Sequence, residues 1–82
     1  MIKIHEIEKA VKLICKNSFD LDKFNKEKAD KKIVEYLEKI KENYHHIEYE
    51  VNDSYVKLLL YTSDDDGFDL SFKMTVKDIT PL

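Results

Sequence analysis

Apolar residues recur at Ile4, Ile7, Val11 and Ile14, in steps of three, four and three. At about 100° per residue these positions form one stripe, flanked by Ala10 and Cys15. The spacing predicts a helix over about residues 3–16, with Leu13 off the stripe and packed against the loop that follows. Asn17 and Ser18 are helix-ending residue types. In "NSFDLDKFN", Phe19, Leu21 and Phe24 are expected to pin the connection to the core. Asp22 or Asn25 can cap the next helix, because either side-chain oxygen can accept from a free backbone N–H. The second helix is expected from about 24–26 to 44, with Ala29, Ile33, Tyr36, Leu37, Ile40 and Tyr44 on one face. Its other face is charged, and Glu27–Lys31 and Glu35–Lys39 have the favoured i,i+4 order.

The period then falls from 3.6 to 2. In "HIEYEV", Ile47, Tyr49 and Val51 alternate with His46, Glu48 and Glu50. "YVKLLLYT" follows, then a run with Phe68, Leu70, Phe72, Met74 and Val76 on one side. These patterns predict three strands over about 46–52, 55–62 and 68–77, joined by short connections that favour antiparallel neighbours. Pairing Val51 with Val56 sets Tyr49 against Leu58 and Ile47 against Leu60. Pairing Thr62 with Phe68 sets Leu60 against Leu70, Leu58 against Phe72 and Val56 against Met74. Both hairpins then put the same middle-strand residues on one apolar face, and a one-residue slip of either would oppose apolar to polar side chains. Helices followed by strands indicate an α+β fold: two N-terminal helices packed on one face of a three-stranded antiparallel meander, in the order ααβββ. At 82 residues the chain is expected to form a single domain, 1–82.

This register puts Asp64, Asp65, Asp66 and Gly67 at a hairpin tip. Aspartate bonds nearby backbone N–H groups in turns, and glycine takes positive φ without steric cost. A calcium loop would space its aspartates alternately and carry a glutamate beyond the glycine; here the aspartates are adjacent and position 73 is lysine. The tip therefore reads as a turn, with an acidic knob facing a partner as the functional alternative. The register also defines a second face, with Tyr55, Lys57, Leu59 and Tyr61 from the middle strand. His46, Glu48, Glu50 and Asn52 flank them on one side, and Asp69, Ser71, Lys73 and Thr75 on the other. Tyrosines in a mixed polar setting suit protein contact.

Composition narrows the function classes. All fourteen basic residues are lysine, and the net charge is −3. Arginine supplies the bidentate contacts that read guanine or clamp phosphate, so its absence argues against nucleic acid as partner. Residues 1–44 hold 11 lysines and 9 acids (+2), whereas residues 45–82 hold 3 lysines and 8 acids (−5). The acidic half would suit a basic partner. No apolar run approaches a membrane span, and "MIKIHEIEKA" has no apolar signal core, so a cytoplasmic setting is expected. The lysine, isoleucine, asparagine and aspartate bias hints at an AT-rich bacterial or phage genome.

Catalytic candidates are weak. His45 and His46 would point to opposite faces of a strand, which suits them poorly to one metal ion, and His5 has no evident partner. Cys15 borders the buried stripe, where a free thiol behaves as a small hydrophobe, and one cysteine allows no internal disulfide. Asp69, Ser71 and Lys73 with Glu48 and Glu50 suggest a nuclease-like acid–lysine cluster, but Lys73 would face Lys57. One glycine leaves no phosphate loop. Helices followed by a hairpin also suggest a winged helix, which needs a third helix and a basic recognition surface.

The expectation is therefore a non-enzymatic protein-binding module without catalytic residues, metal or cofactor. It would act as an inhibitor or regulator by occluding a larger protein with a basic or mixed surface. Its contact residues would be Tyr55, Leu59, Tyr61, Glu48, Glu50, Asp64, Asp65, Asp66 and Asp69. Phage inhibitors of host defence, anti-CRISPR proteins among them, and immunity proteins against toxins are often this small and acidic; the parallel is of size and charge alone. The alternatives are a nucleic-acid regulator using lysine-rich residues 23–32, and a homodimeric accessory protein.

Overall fold

A computed structural model describes residues 4–62 and 70–81. Helix α1 (Ile4–Lys16) leads into a two-stranded ribbon, β1 (Phe19–Asp20) and β2 (Lys23–Phe24). Helix α2 (Lys26–Ile40) follows and tightens into a 3-10 turn at Lys41–Asn43. Strands β3 (His46–Val51), β4 (Tyr55–Tyr61) and β5 (Leu70–Thr75) come next, and Val76–Asp78 form a second 3-10 turn. The three strands make an antiparallel sheet ordered β3-β4-β5, so the fold is α+β. No helix among the described residues is long and apolar enough to cross a membrane.

The helix ends follow from local hydrogen bonding. At the end of α1, the Asn17 side chain and backbone N–H both donate to the Leu13 carbonyl, at 3.0 and 3.1 Å. The Ser18 hydroxyl donates to the Ile14 carbonyl at 2.6 Å, which satisfies a side chain that is almost fully buried. The residue that caps α2 is Asn25, whose Oδ1 accepts from the Lys28 N–H at 3.0 Å. Asn25 also donates to Asp20 at 2.9 Å, which ties the ribbon to the helix start. Regular α-helix stops at Ile40, four residues before the expected end at 44, and the 3-10 turn carries the chain to a buried Tyr44. The ion pairs within α2 and its 3-10 turn are Lys32–Glu35 and Lys41–Glu38, spaced i,i+3, in place of the two i,i+4 pairs expected.

The register of the sheet matches the apolar alternation. Val51 lies opposite Val56, Tyr49 opposite Leu58 and Ile47 opposite Leu60. Across the other seam, Val56 faces Met74, Leu58 faces Phe72 and Leu60 faces Leu70. Val56, Leu58 and Leu60 have no exposed surface. They join Ile7, Val11 and Cys15 of α1 and Ala29, Ile33, Leu37 and Ile40 of α2 in one apolar cluster. Each fully buried aliphatic side chain contributes about 1.5–3 kcal/mol relative to exposure. The expected pairing of Thr62 with Phe68 lies outside the described residues.

Three apolar residues depart from expectation. Leu13 is half-exposed, because the following segment folds into its own ribbon instead of lying over it. Phe19 and Phe24 anchor that ribbon, with ring centroids 5.3 Å apart in an edge-to-face arrangement. Leu21 occupies the ribbon's corner, 94% exposed and with φ of 62°. That backbone region costs a residue bearing Cβ about 1–2 kcal/mol. Tyr49 lies on the core side of β3 yet is 42% exposed, because β3 is the last strand at this end of the sheet among the described residues.

Leu58→Ala is expected to destabilise the protein by roughly 2–5 kcal/mol in urea unfolding, the range for a large-to-small change in a packed core. Leu21→Gly is expected to stabilise it by roughly 0.5–1 kcal/mol, because the left-handed corner suits glycine and the leucine buries almost nothing. A lower urea midpoint for the glycine variant would contradict the strained corner.

Candidate functional site

Burial of Val56, Leu58 and Leu60 turns the intervening residues of β4 to the opposite side, because side chains alternate along a strand. Tyr55, Leu59 and Tyr61 are half-buried there, and Lys57 is exposed. In the register Glu48 stands opposite Leu59 and Glu50 opposite Lys57, while Ser71 and Lys73 flank the other side. Sheet geometry thus gathers five of the expected contact residues, Tyr55, Leu59, Tyr61, Glu48 and Glu50, onto one surface. The other four, Asp64, Asp65, Asp66 and Asp69, lie outside the described residues.

The tyrosines are held by the glutamates. Tyr61 Oη donates to Glu48 Oε1 at 2.7 Å, and Tyr55 Oη donates to Glu50 Oε1 at 3.0 Å. The bond from Tyr61 to a charged carboxylate falls in the short, charge-assisted class. It favours the protonated phenol, so the Tyr61 pKa rises above its ordinary value of 10.0, with burial and the Glu48 charge adding to the effect. His46 Nε2 lies 3.7 Å from Glu48 Oε2, and its ring sits 5.4 Å from the Tyr61 ring. At the opposite end, Lys73 Nζ lies 4.3 Å from the centroid of the Tyr55 ring. A cation over an aromatic face at an exposed site contributes about 0.5–1 kcal/mol. Lys57 and Lys73 are direct cross-strand neighbours, a like-charge pairing that disfavours parallel extension of the two side chains. Contact with the Tyr55 ring gives Lys73 another direction.

His46 and Lys73 were not among the expected contact residues, although alternation and register already put both on this face. The missing signal was length: each side chain is long enough to reach the tyrosine beside it. The turn below the face is built by Asn52, whose Oδ1 accepts from the N–H groups of Ser54 and Tyr55, both at 2.8 Å. Asp53 at that turn meets Lys26 at 3.7 Å, which engages one cation of the lysine-rich 23–32 segment.

Among the described residues, no group of three or more histidines, cysteines, aspartates or glutamates is placed to hold a metal ion. Cys15 is fully buried, and desolvation raises its thiol pKa from 9.0 to about 11. Nucleophilic cysteines require the opposite shift. Searches against protein-family descriptions, curated proteins and solved structures find no match for this chain.

Two titrations examine this arrangement. Tyr61 is expected to ionise above its ordinary value in an ultraviolet difference titration, and Glu48→Ala is expected to bring it down. An unchanged profile would mean that the Glu48 contact does not control the phenol. For Cys15, the folded pKa exceeds the unfolded one, so its contribution to stability is complete below about 9 and is lost as pH rises from 9 to about 11. Cys15→Ala should therefore lose stability less steeply than the native chain over that window, measured by urea unfolding at successive pH values.

Proposed function

We propose that this chain is a small protein-binding module, an inhibitor or regulator that occludes a larger protein through the outer face of its sheet. The reading takes residues 1–82 as one domain, with both helices packed on one side of the meander and the other side left for contact. The observation that carries it is the pair of bonds from Tyr61 to Glu48 and from Tyr55 to Glu50 on that side. These bonds restrict four side chains before any partner arrives. Each rotamer-rich side chain immobilised at an interface otherwise costs about 0.5–1.5 kcal/mol. Tyrosine is among the residues that most often dominate binding energy.

The partner's chemistry follows from charge. Glu48 and Glu50 make the β3 side of the face acidic, and the chain from residue 45 onward carries −5. A protein surface with basic or mixed character suits it. Nucleic acid suits it poorly, because the chain has no arginine and Lys26 and Lys32 of the lysine-rich segment are already paired with Asp53 and Glu35. A cytoplasmic inhibitor, of the phage anti-defence or immunity type, is the biological setting that size and charge favour, and the role requires no catalysis.

Leu59→Lys and Tyr61→Asp test the docking face. Both should keep the native circular dichroism and much of the unfolding midpoint, while abolishing capture of the partner from a lysate of the source cell. The same captured proteins at equal yield would overturn the reading. Tight, strongly salt-dependent DNA binding in a gel-shift titration would instead favour the nucleic-acid alternative. Sedimentation mass doubling with concentration, and reverting in Leu59→Lys, would favour a homodimer.

A further inference from the structure

Strand β3 ends the sheet, and among the described residues no strand pairs with its outer edge. Its backbone polarity follows from the hairpin. The Asn52 N–H donates to the Tyr55 carbonyl at 3.0 Å, so this opposing pair is hydrogen-bonded. Bonded and non-bonded pairs alternate along an antiparallel ladder. With the register unbroken from His46 to Val51, the N–H and C=O groups of Ile47, Tyr49 and Val51 point away from β4. They form a template for one more strand.

The side chains of those same residues lie on the core side, which is poorly covered here. Tyr49 is 42% exposed, whereas Leu58 opposite it has no exposed surface. Beside it runs an open groove of about 350 Å³ of mixed character, with Val34, Leu37, Ile47 and Tyr49 in its lining alongside the ion-paired Glu38 and Lys41. The other outer strand, β5, differs in charge: its one described outward charge is Lys73, a cation that lies over Tyr55. Along β3 the outward side chains are His46, Glu48 and Glu50. Neither glutamate forms an ion pair with a lysine among the described residues.

We propose that the edge of β3 accepts an extended segment of a partner protein, with basic residues opposite Glu48 and Glu50 and apolar residues between them that cover Tyr49 and the groove. The proposal deepens the docking reading and rests on its view of Glu48 and Glu50 as facing a partner. Side chains opposite each other across an added strand share a face, so basic and apolar residues must alternate with period two. A second copy of this chain fits worse. An antiparallel self-pairing centred on Tyr49 puts Glu48 against Glu50 twice. Centring it on Glu48 or on Glu50 puts that residue against itself, and centring it on Ile47 or Val51 avoids this but pairs at most three residues of the strand. Like charges directly opposite destabilise a strand pair.

The probe is a blocked peptide alternating lysine and valine, titrated into the full chain and followed by amide NMR and hydrogen exchange. Expected are slowed exchange at the Ile47, Tyr49 and Val51 amides and at least tenfold weaker binding of the matching glutamate–valine peptide. The double variant Glu48→Lys, Glu50→Lys, with its fold checked by circular dichroism, should reverse that preference. A lysine–valine peptide with backbone N-methyl groups along its pairing edge should lose binding. Equal binding of both peptides, no binding of either, or protection confined to β4 or β5 would overturn the strand addition. If Leu59→Lys still abolished partner capture in any of those cases, the outer face would stand and only the edge would fall.

Discussion

The middle strand is the constraint on which the molecule depends. Val56, Leu58 and Leu60 are fully enclosed, and they meet residues of both helices and both neighbouring strands. A strand has only two faces, so committing these residues inward commits Tyr55, Lys57, Leu59 and Tyr61 outward. Register then transmits the choice: with Val56 between Val51 and Met74, every other partner across both seams is settled. Slippage by one residue would expose three aliphatics and bury a lysine. Burying an unpaired ammonium costs far more than most sheet contacts return. The core therefore selects the surface, and the tyrosines face outward as a consequence of where the leucines go.

That coupling explains how much was legible in the chain. Period-two alternation on three segments gave mutually consistent pairings, and two hairpins sharing one strand constrain each other more than either does alone. Helix α1 was legible from its stripe, and the cap of α2 was narrowed to Asp22 or Asn25, of which Asn25 serves. The β1–β2 ribbon was not legible, because Phe19-Asp20 and Lys23-Phe24 are too short for periodicity and Leu21 stands where glycine would ordinarily mark the corner. Tyr49 shows a different limit. Alternation gives the side a residue faces, but cover depends on which strand is last in the sheet, and that is a property of the assembled layer. The tyrosine–glutamate bonds were hidden for a related reason, since register shows which residues are neighbours while the bond depends on rotamer and reach.

The outer face carries little energy for its own fold. Its contacts are exposed hydrogen bonds, a histidine–glutamate contact and a cation over a ring, and exposed ion pairs contribute about 0–1 kcal/mol. Their effect is conformational: two phenols and two carboxylates are held in one arrangement. A surface that is organised but contributes little to folding can change by substitution without threatening the core. The same division separates Cys15 from chemistry. Burial keeps its thiol protonated, so the residue serves as packing between α1 and the rest of the cluster.

On the proposed strand addition, the glutamates of β3 would act in opposite directions on two kinds of neighbour. An uncovered sheet edge invites pairing with another chain, and charged side chains are a common defence. In β3 the charges do not remove the template, because the N–H and C=O groups that point away from β4, unpaired among the described residues, belong to Ile47, Tyr49 and Val51, whose side chains turn inward. They would bias the choice of strand instead. An identical strand centred on Glu48, Tyr49 or Glu50 brings carboxylate against carboxylate, whereas a strand with alternating cations would meet complementary charge at the same positions. Repulsion between copies and attraction to a basic segment would then arise, on the proposed strand addition, from the same two residues. Glu48 and Glu50 are also the acceptors that hold Tyr61 and Tyr55, which links the edge of the sheet to its outer face through single side chains.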